Sequence, residues 1–254
     1  MRKGTILTGA FLVSALTVTI FNQARAQTNC DFKNNLEKLS VAEEASKIDD
    51  GAENIKNELS IRKELLNQAL DCSISDALSL QSEVKSTQVG YSDLKNYQAR
   101  LVSKIDEIIG YYHNQKEVVK DLGIEGSKIF SANLRTWRDS NYAPIEELGK
   151  NFPIFARNQD FLQTAQNRLY QISLTLRALE LDGDQEIGNL VNQARRQIYS
   201  ANEDNGYAAD IYKRLSWPNN VSGLVLSTLQ HLKDAYQSFF EIGSEAQKII
   251  SESK

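Results

Sequence analysis

Cys30 and Cys72 are the two side chains whose type and spacing are best suited to chemistry. They stand 42 positions apart, with Gly51 at the midpoint inside the turn sequence Asp49-Asp50-Gly51. Two helices of about 20 residues, folded back on each other there, would be about 30 Å long and would bring both sulfurs to the open end. In an oxidising compartment that meeting is a disulfide. Closing a loop of this size stabilises by up to about 4 kcal/mol in the chain-entropy model. Asp50 and Glu53 have the spacing of a capping box for the returning helix. The competing arrangement is two free thiols. The cysteines form no Cys-x-x-Cys pair, which speaks against a dithiol catalyst.

The remaining chemistry-bearing types are scattered. His113 and His231 are far apart and belong to no His-Glu-x-x-His, so a zinc hydrolase has no support. Ser-x-x-Lys occurs at Ser60/Lys63, Ser82/Lys85, Ser92/Lys95 and Ser251/Lys254, but without the Ser-Asp-Asn and Lys-Thr-Gly partners of penicillin-recognising enzymes. No Gly-x-Ser-x-Gly, P-loop or Gly-x-Gly-x-x-Gly is present. Asp182-Gly183-Asp184-Gln185-Glu186 resembles the start of a calcium loop. Ile187 stands where the EF-hand requires Gly, however, and Gln193 where it requires Glu, so helix-start acids are the better reading. Asn220-Val221-Ser222 is a glycosylation sequon, relevant only in a eukaryotic secretory route. The expectation is therefore no enzyme, no metal and no cofactor.

One stretch combines residue types that dominate protein interfaces. Arg135, Trp137, Arg138 and Tyr142 fall within eight residues, in what reads as a connection between helices. As a surface they would form an interaction patch. In the competing reading, Trp137 and Tyr142 plug the end of a bundle while the arginines pair with nearby acids.

The chain's first 26 residues place it outside the cytoplasm. Arg2 and Lys3 precede a mostly apolar run from Thr5 to Phe21, and Ala24-Arg25-Ala26 puts small residues where a signal peptidase reads. Cleavage is expected before Gln27, giving a secreted or periplasmic protein. The run is short for a span of about 20 residues, yet an uncleaved anchor facing outward is the alternative. Cleavage removes three positive charges and no negative ones, taking the net charge from −4 to −7. An acidic chain has little with which to neutralise phosphates, so nucleic acid is excluded as a partner.

With 13 Gly and 3 Pro in 254 residues, little interrupts a helix. Ile55, Leu59, Leu66 and Leu70 share one face of the returning helix. Leu94, Tyr97, Leu101, Ile105, Ile108, Tyr112, Val119 and Leu122 make a seam over 93–122. A shorter helix over 125–139 carries Ile129, Leu134 and Trp137, and Pro144 and Pro153 each sit where a new helix would start. Leu162, Ala165, Leu169, Ile172, Leu176 and Leu179 form a heptad seam. Ile187, Val191, Ala194, Ile198 and Ala201 form another, interrupted or kinked at Asn205-Gly206 and stopped at Trp217-Pro218. A last helix spans about 219–251.

The fold class is all-α: an antiparallel helical bundle with coiled-coil-like seams and a disulfide-stapled N-terminal hairpin. From 27 to 90 the sole aromatic residue is Phe32, whereas 91–254 holds 18, so the first region reads as a slender arm and the second as a thicker bundle. The boundary falls at 86–90. Such a protein is expected to act through contact with a protein partner or with itself, without turnover. The alternative is a small-ligand module holding its ligand between helices near Trp137 or Trp217.

Overall fold

The computed structural model describes residues 30–49, 51–215 and 220–252. The leader, Asp50 of the expected capping box and Trp217-Pro218 lie outside them. The described residues form α1 (Lys33–Ile48), α2 (Ala52–Ser86), α3 (Ser92–Val119), α4 (Ile124–Trp137), a π-helical segment (Arg138–Tyr142), α5 (Ala143–Ala178), α6 (Gln185–Arg214) and α7 (Val221–Glu252). The protein is all-α, and no strand occurs among the described residues.

The N-terminal hairpin is present. Its turn lies between Ile48 and Ala52, where the Asp49 carboxylate accepts from the Gly51 amide at 3.1 Å. Cys30 and Cys72 are joined at its open end, with their Cα atoms 6.0 Å apart. Ile55, expected on the packed face, is exposed instead, and Glu58 is buried. Burial pushes the Glu58 carboxyl up, but the hydrogen bond from Arg62 and the Arg62 charge leave it below its ordinary value. Arg62 also pairs with Glu43, so a polar cluster occupies this end of the α1–α2 seam.

The hydrophobic core crosses the 86–90 turn. Leu66, Leu70, Ile74, Ala77, Leu80 and Val84 of α2 share one core with Leu94 to Val119 of α3, Ile145 to Ala156 of α5, Ala208 and Tyr212 of α6, and Val221 and Val225 of α7. A second core joins Leu162 to Leu176 of α5, Ile187 to Ala201 of α6 and Leu232 to Ile242 of α7. Two cores are thus stacked along α5, α6 and α7, the three helices that contribute to both. The helical stretch 124–178, which includes the π segment, would measure about 80 Å at a rise of about 1.5 Å per residue.

Helix boundaries correct the sequence in three places. Pro153 lies inside α5 rather than at a helix start. An interior Pro costs about 3 kcal/mol, and the burial of Phe152 and Phe155 on either side offsets it. Asn205-Gly206 leaves α6 unbroken, because α6 buries apolar residues on both sides of it. Leu179 is exposed, since the helix stops one residue before it. Glu180 adopts left-handed backbone (φ 56°), Glu180 N–H donates to Arg177 O, and Leu181 N–H donates to Leu176 O. This Schellman closure turns Leu181, not Leu179, into the core beside Leu176. Asp184 then caps α6, accepting from the Ile187 amide at 2.9 Å, which is the helix-start role expected of that acidic loop.

A polar layer separates the two cores. Asn158, Asn205 and Thr228 are buried between the apolar sets on α5, α6 and α7. Asn158 Nδ2 donates to Val225 O at 3.1 Å and Asn205 Nδ2 to Gln159 Oε1 at 3.0 Å. The Oδ1 atoms of both asparagines are buried without a partner among the described residues. An unmet buried acceptor costs about 1–3 kcal/mol. Asn158→Leu should therefore raise the unfolding free energy by about 1 kcal/mol, measured as a higher urea midpoint at unchanged m value.

Candidate functional site

The sequence-derived patch lies where α4 passes into α5. The chain does not leave helix there, as a connection would. It widens into a π turn, with the Ala143 amide donating to Arg138 O. Pro144 accounts for the widening: it has no N–H to give, and its ring crowds the carbonyl one α-turn back, a strain that a wider turn relieves. Asn141 Nδ2 reaches back to Trp137 O at 3.0 Å.

The extra residue in that turn aims Trp137 and Tyr142 inward. Trp137 stacks on Tyr111 of α3, with ring centroids 3.5 Å apart and planes 12° from parallel. Tyr112 meets Trp137 edge-on at 5.4 Å and Tyr142 edge-on at 6.1 Å. Tyr142 is 1% exposed. Burial pushes the Tyr112 hydroxyl up to about 12 and drives Tyr142 further in the same direction, so both stay neutral at any ordinary pH. The Arg138 guanidinium lies 5.4 Å from the Tyr142 ring centre and 3.5 Å from Glu146 Oε2. Glu146 also holds Lys150.

Of the four patch residues, Tyr142 cannot be reached from outside and Trp137 is half-buried. Arg135 is exposed, and Arg138 is partly so. The aromatic cluster fills the end of the first core, and its chemistry is packing with one cation–π contact. Tyr111 and Tyr112 belong to this cluster as much as Trp137 does. Tyr112 was legible as a seam residue of α3, but nothing local pairs Tyr111 with Trp137.

Aromatic residues available to a partner lie in the other half of the molecule. Tyr199 and Tyr207 are 63% and 61% exposed on α6, two turns apart, with Glu203 between them. The neighbouring Glu203 carboxylate raises the Tyr199 pKa. Tyr170 of α5 and Phe240 of α7 are exposed as well. The signal for these residues was their position off the seams: Tyr199 follows the buried Ile198, and Tyr207 precedes the buried Ala208.

The histidines do not meet in a reactive pair with a nucleophile. His113 is exposed, and His231 Nδ1 lies 2.7 Å from Gln197 Oε1, with Nε2 3.7 Å from Asp204. Among the described residues no three His, Cys, Asp or Glu side chains converge as metal ligands, and no helix is long and apolar enough to cross a membrane. A groove of about 460 Å³ runs along α2 beside the disulfide, lined by Glu64, Asn67, Gln68, Asp71, Cys72 and Ser75. Comparison with known protein families, with curated proteins and with solved structures finds no match to this chain.

Proposed function

We propose that this chain is an exported, non-enzymatic helical rod that works by contacting another protein through the outer faces of its α5–α7 half. The observation that carries this reading is the exposed pair Tyr199 and Tyr207 on α6. Tyr is enriched at interface hot spots, because it supplies a large rigid ring and a polar tip. Arg135 and the Arg138 head group provide a second contact point, now without the aromatic anchors beside them. Export is supported by the leader-like run at 5–21 and by the Cys30–Cys72 bond, which belongs to an oxidising compartment.

Capture of partners from the exported fraction of the native host, by immobilised protein, tests the reading. Tyr199→Ala with Tyr207→Ala should weaken capture at least tenfold while leaving the urea midpoint nearly unchanged, since neither ring is packed. Arg135→Ala with Arg138→Ala should weaken it less. Capture unaffected by both pairs would remove these faces from consideration. Association that scales with the protein's own concentration would make the partner a second copy.

A further inference from the structure

We propose that α1 is a strap latched onto α2 by the Cys30–Cys72 bond, and that a dithiol reductant releases it while the rest of the rod stays folded. Apolar packing holds this helix weakly. Ala42 is its single fully buried residue, whereas Leu36, Val41 and Ile48 are 54%, 69% and 83% exposed. Its remaining attachments are polar and partly open to water. Asn35 Nδ2 donates to Gln68 Oε1 at 3.0 Å, Gln68 Nε2 to Asp31 O at 3.0 Å, and Glu43 pairs with Arg62. The Asn35 and Gln68 contacts contribute little each where water competes for both partners. The Glu43–Arg62 pair, with the Arg62 side chain 12% exposed, holds the helix at its other end, near the turn. By contrast α3 buries Leu94, Leu101, Ile105, Ile108, Tyr112 and Val119. A 16-residue helix freed from its neighbour is also marginal in water, so release would melt it. The covalent bond is therefore the main restraint on the strap's free end.

A reductant has a route to the bond. Cys30 and Cys72 are both partly exposed, and the open groove on α2 includes Cys72 in its wall. A thiolate of the reductant attacks one sulfur of the pair, forming a mixed disulfide and releasing the other cysteine as a thiolate, which takes a proton. The reductant's second thiol then displaces the first cysteine, and the reductant leaves as its own disulfide. The protein gains two electrons and two protons. The α2 surface from Glu58 to Cys72 is uncovered, with the Arg62 and Glu58 groups newly open to a partner.

Hydrogen exchange followed by mass spectrometry, on folded full-length protein with and without dithiothreitol, is the test. Peptides from 33–48 should exchange at least about tenfold faster after reduction, while those from α3 and α5–α7 keep their protection. Alkylation should count two new thiols, and far-UV circular dichroism should lose about the signal of one short helix. The Cys30→Ser/Cys72→Ser variant should reproduce the reduced pattern without reductant. Unchanged protection of 33–48 in the reduced protein would overturn the proposal. So would loss of protection across the whole chain together, or a bond that dithiothreitol cannot reduce in the folded state.

Discussion

Phe155→Ala should lower the unfolding free energy by about 3–5 kcal/mol, the cost of deleting a large buried aromatic side chain and leaving a cavity. Phe155 is 1% exposed, and its ring stacks on Tyr212 with centroids 4.4 Å apart. Tyr97 and Phe152 approach it at 6.4 Å on other sides. It therefore touches α3 and α6 from a position on α5 close to the interior Pro153, where the helix has already lost a backbone hydrogen bond. The neighbours have little freedom to collapse into the space, since the Tyr212 hydroxyl is tied to Leu148 O at 2.9 Å. Denaturant unfolding should show a much lower midpoint with the slope retained. Phe240→Ala provides the contrast, because that ring is exposed and its loss should cost under about 0.5 kcal/mol. Equal effects from the two would mean that this aromatic cluster is not the centre of the first core.

The hairpin was legible because every signal was local or symmetrical: a turn at Asp49-Gly51 placed midway between two cysteines admits one simple geometry. The α3 seam was legible for a similar reason, as its apolar positions repeat once per turn from Leu94 to Tyr112 and resume at Val119 after one polar turn. Misreadings cluster where tertiary packing overrides a local rule. Pro153 signals a helix start in isolation, yet the helix continues because Phe152 and Phe155 are buried on both sides of it. Leu179 continues a heptad on paper, but the left-handed Glu180 closes the helix first and delivers Leu181 to the core. The Arg135–Tyr142 stretch looked like a connection because Pro144 and a run of polar residues resemble one. A π turn can satisfy the same proline while keeping the chain helical, and it rotates Tyr142 inward. Hydrophobic periodicity also cannot report what lies on the opposite face. Glu58 sits one turn beyond Ile55, and which of the two is buried depends on Arg62 and on α1. The stacking of two cores had a faint sequence signature, in that Asn158, Asn205 and Thr228 interrupt otherwise apolar stripes at corresponding heights. Recognising it requires knowing the alignment of three helices, which only the fold supplies.

A tight helix–helix contact in the first core sets up the other large effect. A Cβ built on Gly149 of α5 would lie 2.8 Å from Leu80 Cδ1 and 2.9 Å from its Cγ, well inside van der Waals contact. Gly149 and Leu80 are both buried, so Leu80 has no solvent to swing into. In an exposed helix interior, replacing Gly with a residue bearing a side chain usually stabilises, by up to about 1 kcal/mol for Ala. Here the sign should reverse. Gly149→Val should destabilise by about 3 kcal/mol, at the upper end of overpacking costs, because α5 must move away from α2. Leu80→Ala alone should also destabilise, by about 2–5 kcal/mol, through the cavity it leaves. In the double variant the valine methyls would occupy the space vacated by leucine. The combined loss should therefore fall short of the sum of the single losses by at least about 1 kcal/mol, which is the coupling expected of residues in direct contact. Denaturant midpoints for the four proteins of this cycle measure it. Additive losses would mean that Gly149 and Leu80 do not meet, and with them would go the packing of α5 on α2 that carries the first core across the 86–90 turn.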